Sequence, residues 1–347
     1  LDYILAHSPK TEEHFFNTYL NHSDVYIANG ALLALAKQSQ NNQSLGVLYQ
    51  LRKRLEDKIE LHTADDDYVK KEIIAGLLLS IAYSRMTNHY DFITKHLNNK
   101  HPYIVKFATI AAGITAHEVF ISDLLNLLAI KRHRKRAIKS LKNYGPRIIN
   151  VLLDLESKGE LKSKVKKNIP KIVGAFQNEN AVKMLLKILK SKDSTSRLEA
   201  TKSLRKIKRK NLNLTISNRV IKNQIYKECG FYEDILEVLT SIQHTINKDL
   251  FDEANENNQV VYEARKNLSN ALELELNKSF LTLFNLLSLL YNEEDIQIIF
   301  KAMKSEIKEA KINAIELLEN LLDSAIKNAV LPVLEHFAIE EDTLDSS

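Results

Sequence analysis

Few side chains in this sequence stand where chemistry could use them. The only cysteine, Cys229, would need a positioned base to serve as a nucleophile, and no His or Asn accompanies it at a fixed spacing. It therefore reads as a small apolar side chain, and a lone cysteine excludes an internal disulfide framework and points to a reducing, cytoplasmic setting. His117 and Glu118 offer two metal-ligand types side by side, yet one pair falls short of the roughly four to six ligands a bound metal takes. Asp65, Asp66 and Asp67 lack the alternate spacing and the glycine of a calcium loop, so they read as a helix cap. His96 and His101 flank a turn and read as surface residues. Neither GxGxxG nor GxxxxGK[ST] occurs, which removes the usual phosphate-cradling loops. The expectation is a non-enzyme with no catalytic residue, no metal site and no cofactor.

Charge is the stronger signal. The stretch KRHRKRAIKSL (131–141) opens with five cations and a histidine, then turns apolar at helical spacing. Across 131–210 there are 25 Lys and Arg against six acids, a net of +19, whereas the chain as a whole carries +5. The remainder is thus strongly acidic, and so large a separation predicts a local positive potential suited to an anionic partner.

The elements that must position these charges are helices. Eight Gly and five Pro in 347 residues is sparse punctuation for strands and tight turns, and 44% hydrophobic content is ample for a core. Five segments align on one small or polar residue, with an entering side chain three before it and an apolar residue four after: VYIANGALLAL (25–35), VKFATIAAGI (105–114), RKRAIKSL (134–141), VKKNIPKIV (165–173) and RLEATKSL (197–204). Their anchors are Ala28, Ala108, Ala137, Asn168 and Ala200, the last four spaced by 29, 31 and 32 residues, and KINAIELL (311–318) adds a sixth at Ala314. Partner helices lie between them at 120–130, 146–156 and 180–190, apolar at i, i+3, i+4 and i+7. A period near 31 with two helices per unit predicts helical hairpins that cover one another's apolar flanks. Pro170 is expected to kink its copy.

A first helix, a short turn, then Val or Arg followed by Ala and Leu resembles the HEAT repeat, most clearly in HSDVYIANGALLAL, KHPYIVKFATIAAG and SKDSTSRLEATKSL. The resemblance implies an all-α, armadillo-like solenoid, a right-handed superhelical array with second helices on the concave side. The segments SFLTLFNLLSLLYNEEDIQIIFKAMKS and INAIELLENLLDSAIKNAVLPVLE resemble cytosolic HEAT-type regions fused to transporter-like membrane parts in bacteria. One HEAT-like family of hydroxylases holds two irons with several His-Glu pairs, where this chain has one. HEAT-like enzymes that remove damaged DNA bases need stacking aromatics beside a basic face; here there is no Trp, and 131–210 holds only Tyr144 and Phe176.

Helical phase gathers the cations. Lys135, Lys139 and Lys142 share one face, as do Lys164, Lys167 and Lys171, and Lys202, Lys206 and Arg209. Stacked repeats would lay Lys139, Lys171 and Lys202 in a ladder, forming one basic stripe. The expected function is a scaffold, the soluble regulatory portion of a larger bacterial protein, docking an acidic protein segment or an anionic membrane surface; nucleic acid bound through its phosphates is the alternative. The organisation reads as a solenoid over 1–246 with an irregular insertion at 211–246, a polar loop at 247–259, helical repeats at 260–340 and a disordered tail at 341–347. The longest apolar runs, 73–83 and 280–291, fall short of the ~20 residues a membrane span needs. A start at LDYILAHSPK, without Met or signal pattern, suggests a segment of a longer chain on the cytoplasmic face of a membrane protein.

Overall fold

The computed structural model of the protein describes residues 18–41, 53, 57, 67–249 and 256–344. Among the described residues there is no strand, and the helices fall into two compact units, Leu1–Val165 and Lys166–Ser347. In the first unit α1 (Val25–Asn41), α2 (Asp67–Ser84), α3 (Tyr90–Leu97), α4 (Pro102–Thr115), α5 (Ile121–Leu128), α6 (Lys131–Lys142) and α7 (Arg147–Ser157) follow in order. Helix α4 packs between α2 and α6, α1 packs on α2, and α3 and α5 lie against α4 and α6 respectively. Second helices thus stack on second helices, and each first helix covers its own partner. This is the all-α, solenoid-like packing expected from the repeat.

The small anchor residues show why the period exists. Ala108, Ala137, Ala200 and Ala314 are fully buried, and Ala28 and Asn168 nearly so. Each sits where a neighbouring helix presses closest, a place with no room for a large side chain. The expected partner helices at 120–130, 146–156 and 180–190 are realised as α5, α7 and α10 (Glu179–Ile188).

The alternation of Val with Arg at the entering position has a hydrogen-bonding cause. Val105 and Val165 fill it with buried apolar side chains. Where it is Arg, the guanidinium reaches back to carbonyls that precede its own helix. Arg134 Nε donates to the Leu128 carbonyl at 2.9 Å, and Arg197 Nη1 donates to the Ser191 and Lys192 carbonyls at 3.1 and 3.0 Å. The Leu128 carbonyl ends α5, where the negative dipole end favours a cation, whereas Ser191 and Lys192 lie in the turn after α10.

A second device recurs and was not visible in the repeat alignment. Asn29 Nδ2 donates to the Glu72 carbonyl at 2.7 Å, Ser140 Oγ to the Thr109 carbonyl at 2.7 Å, and Ser203 Oγ to the Pro170 carbonyl at 2.9 Å. Four residues after each acceptor stands a glycine: Gly76, Gly113 and Gly174. A Cβ at any of the three would lie within 2.3–2.6 Å of the donating side chain. Leaving out that one carbon opens a helical carbonyl to a second donor from the adjacent helix and lets the backbones close up.

The second unit contains α9 (Ile169–Val173), α10, α11 (Ser194–Lys210), α12 (Asn218–Asp249), α13 (Glu256–Leu290), α14 (Glu293–Met303), α15 (Lys308–Leu321) and α16 (Ser324–Leu344). Both α9 and α10 pack on α11, α11 packs on α13, α13 lies along α12, and α16 returns to α12. Asp193 caps α11 by accepting from Ser196 N at 2.7 Å, and Asn292 caps α14 by accepting from Glu294 N at 2.8 Å.

Several boundaries differ from expectation. The Asn168 copy does not merely kink: it splits into the one-turn helix α8 (Ser163–Lys166) and α9, with Pro170 in the first turn of α9 and Asn168 as its N-cap residue. Proline lacks the N–H and crowds the preceding turn, so the helix restarts there, and the division between units falls beside that break. The stretch 211–246 is no irregular insertion; most of it belongs to the 32-residue α12. At 247–259 the ends are taken by α12 and α13, with 250–255 outside the described residues, and at 341–347 helix α16 runs on to Leu344. Polar sequence without capping signals is helical where α12, α13 and α16 run through it. The acidic cap expected at Asp65 and Asp66 lies outside the described residues.

Candidate anion-binding surface

The stretch that opens α6 sorts its cations into distinct duties. His133 is buried, and burial first, then the Arg132 and Arg136 charges, holds its pKa below the ordinary value, so the ring is neutral near pH 7. Arg132 Nε donates to His133 Nε2 at 3.1 Å, which fixes that nitrogen as the acceptor. Arg134 closes α5, as above. That leaves Lys131, Arg132, Lys135 and Lys139 exposed, on a helix with no acid in its first turn. Lys131 and Arg132 stand at the positive end of the helix dipole, which disfavours the helix, whereas Lys139 lies in the last turn, where the dipole favours a cation. Lys135 and Lys139 make no ion pair among the described residues, and Lys142 on the same face is half-buried.

In the second unit the cations are met by acids. Lys171 and Lys202 both reach Glu199, at 3.6 and 3.4 Å, so two rungs of the expected ladder do stand together, but across a carboxylate. Lys167 pairs with Asp193 at 2.8 Å. Arg209 Nε donates to Glu293 Oε2 at 2.6 Å, and Arg205 Nε donates to Glu293 Oε1 at 2.8 Å. Lys206 alone of this group is exposed and without an ion pair among the described residues. The trio Lys164, Lys167 and Lys171 does not share one helix face: Lys164 is in α8, Lys167 in the turn after it and Lys171 in α9. The break caused by Pro170 removes the phase relation on which that expectation rested.

Glu293 was the unforeseen member, because the sequence places it 84 residues from Arg209. It sits in the first turn of α14, where the dipole favours a carboxylate, and Lys208 Nζ donates to the Leu289 carbonyl beside it at 2.9 Å. Partial burial pushes the Glu293 pKa up, but hydrogen bonds from Arg209 and Arg205 outweigh it and hold the carboxyl below the usual value of 4.5. A carboxylate with a depressed folded-state pKa stabilises the fold above its unfolded pKa and loses that contribution as pH falls through the folded value. Glu293→Gln is therefore expected to cost on the order of 1–2 kcal/mol near pH 7 and less near pH 3, measured by urea unfolding at both pH values. An equal cost at the two pH values would refute the ionic account.

Elsewhere chemistry is sparse. The Cys229 thiol is pushed up to about 12, chiefly by burial and then by the charges of Glu233 and Glu228, the opposite of what a nucleophile needs. His117 accepts from Val119 N at 3.4 Å as a cap, and no group of three or more metal-ligating side chains occurs among the described residues. A groove of about 340 Å³ between α5 and α7 is lined by Ile121, Leu125, Val151 and Leu155 with Glu118 and Glu160, and no aromatic ring borders it.

The helices and this surface define an all-α protein of stacked helical pairs with a cationic helix face. No described helix is long and apolar enough to cross a membrane. No protein-family profile matches the sequence, and no curated protein matches it. Two crystal structures of engineered proteins from the Northeast Structural Genomics Consortium are similar to the chain. One is 16% identical, covering 94% of this chain and 98% of its own, with a TM-score of 0.32. The other is 18% identical over 79% of this chain and 96% of its own, with a TM-score of 0.26. Scores at that level carry no argument, and the fold rests on the helix packing itself.

Proposed function

We propose that the protein is a non-enzymatic scaffold of the HEAT type, the cytoplasmic regulatory portion of a larger bacterial protein, and that it docks an anionic partner through α6. The observation that carries this reading is the exposed pair Lys135 and Lys139, free of ion pairs on a helix whose first turn holds cations and no acid. The partner taken here is an anionic membrane surface, which adds roughly 1 kcal/mol per cation brought near it. The acid-paired cations Lys167, Lys171, Lys202 and Arg209 are a reserve that an anion could claim only by displacing carboxylates, so they contribute less.

The test is sedimentation with vesicles containing a third phosphatidylserine. Lys135→Glu with Lys139→Glu is expected to lower the partition coefficient at least about thirtyfold, because each reversal removes one attraction and adds one repulsion. Lys171→Glu with Lys202→Glu is expected to lower it by less. Equal binding by parent and α6 variant defeats the reading, whereas tight binding of DNA or RNA with a steep salt slope in place of vesicles would move the partner to nucleic acid.

A further inference from the structure

A second feature of the first unit has the opposite sign. Helices α1, α2 and α4 stack side by side in register, and the second residue of each is a tyrosine: Tyr26, Tyr68 and Tyr103. The Tyr26 and Tyr68 hydroxyls hydrogen-bond to each other, and the Tyr103 hydroxyl donates to Glu72 Oε1 at 2.5 Å. Glu72 lies one turn into α2 and is only 7% exposed, while Tyr26 and Tyr68 above it are 55% and 56% exposed. The carboxylate is thus recessed beneath a tyrosine rim. Asn29, bonded to the Glu72 backbone carbonyl at 2.7 Å, fixes the floor.

What is missing is a counter-charge. Among the described residues Glu72 makes no ion pair, and its Oε2 accepts no hydrogen bond. A buried carboxylate is normally paired or heavily hydrogen-bonded, because desolvation is costly. Here one phenol satisfies Oε1, and Oε2 is left open to a donor from outside. The ionisation of Tyr26 is pushed up to about 12 by its bond to Tyr68 first, then by burial and by the charges of Glu72 and Asp24. Burial, the bond to Glu72 and its charge push Tyr103 the same way. The rings nevertheless attract positive charge, since Lys106 Nζ lies over Tyr103 and Phe107, 5.7 and 5.0 Å from their centroids.

We propose that Glu72, walled by Tyr26, Tyr68 and Tyr103, is a receptor for a lysine or arginine side chain presented by a partner polypeptide. The ammonium or guanidinium would donate to Glu72 Oε2 and to phenolic oxygens, while the ring faces supply cation–π attraction. A metal ion is poorly served, since neutral phenols and one carboxylate make a weak ligand set. Nucleic acid is repelled by the same charge that draws a basic peptide.

The experiment measures fluorescence anisotropy of a labelled octalysine peptide titrated with the full chain at low salt. Glu72→Gln is expected to weaken binding about tenfold, the effect of losing one recessed ionic contact. The rim pair Tyr26→Leu with Tyr68→Leu, at exposed positions that folding tolerates, is expected to weaken it several-fold. Bound octalysine should also lower the alkaline absorbance midpoint of the tyrosines in the parent and not in Glu72→Gln. The α6 reversals Lys135→Glu and Lys139→Glu should leave octalysine binding undiminished, which separates this site from the anion-binding face. Equal affinity of parent and Glu72→Gln, or no binding by the parent, overturns the proposal; should Glu72→Gln fail to fold, unaltered binding by the tyrosine pair overturns it.

Discussion

Arg197→Met should lower the free energy of unfolding by about 3–5 kcal/mol, the cost of stranding a buried charge, measured by chemical denaturation at pH 7. Its partner Glu228 is 1% exposed and is gripped from both sides of the guanidinium, Nε to Oε2 at 2.8 Å and Nη2 to Oε1 at 3.0 Å. Ser279 Oγ donates to the same carboxylate at 2.7 Å. Arg197 also ties down the turn before α11 through the Ser191 and Lys192 carbonyls and carries its guanidinium 4.4 Å from the centre of the Phe231 ring. Methionine keeps the stem's packing and removes every one of those donors. Glu228 would then be left in the protein interior with a serine hydroxyl as its hydrogen-bond donor.

The double change Arg197→Met with Glu228→Gln should recover most of that loss, because it removes the charge together with its partner. Recovery is the informative result: it separates the penalty of an orphaned carboxylate from the net worth of the pair, which is small when both are absent. A single-variant cost below about 1 kcal/mol would mean that water reaches Glu228 and that the site is not dry. The location gives the pair a further consequence. Arg197 is on α11, Glu228 on α12 and Ser279 on α13, so one buried network joins the last regular repeat to the long helical hairpin. Loss of it should reduce the cooperativity of unfolding, seen as a lower denaturant slope.

The sequence exposed the repeat because the anchors must be small wherever backbones approach, and Ala at a period near 31 records that directly. It could also show that Arg substitutes for Val at the entering position. It could not show why, since the acceptor carbonyls five and six residues earlier carry no side-chain signature. The basic stripe was legible as composition and misleading as geometry. Lys135 and Lys139 lie on one continuous helix, as do Lys202, Lys206 and Arg209. Helical phase failed for Lys164, Lys167 and Lys171, where Pro170 interrupts the helix on which the phase depends. Neutralisation was hidden for another reason: Glu293 meets Arg205 and Arg209 only through the turn from α13 into α14, a contact that no local pattern records. Tyr26, Tyr68 and Tyr103 fall at irregular intervals along the chain, and the stack alone aligns them.

Glycine tests the stacking device most sharply, because the same substitution should act with opposite sign at two places. At Gly113 a Cβ would lie 2.7 Å from Ser140 Cβ and 2.8 Å from Ser140 Cα, so relief requires α6 to move as a body rather than a side chain to rotate. Gly113→Ala gains about 1 kcal/mol of helix propensity and loses more to overpacking, roughly 2–4 kcal/mol, for a net destabilisation of about 1–3 kcal/mol. Ser140→Ala should be milder, near 1 kcal/mol, since the Thr109 carbonyl retains its own helical hydrogen bond. At Gly230, in the middle of α12, nothing lies within 4 Å of a built Cβ. There Gly230→Ala should raise stability by about 0.4–1 kcal/mol through the unfolded chain's lost freedom. Thermal melts of the two variants against the parent decide the matter: shifts in the same direction would show that the approach of α4 and α6 at Gly113 does not hold these repeats together, and shifts in opposite directions that it does.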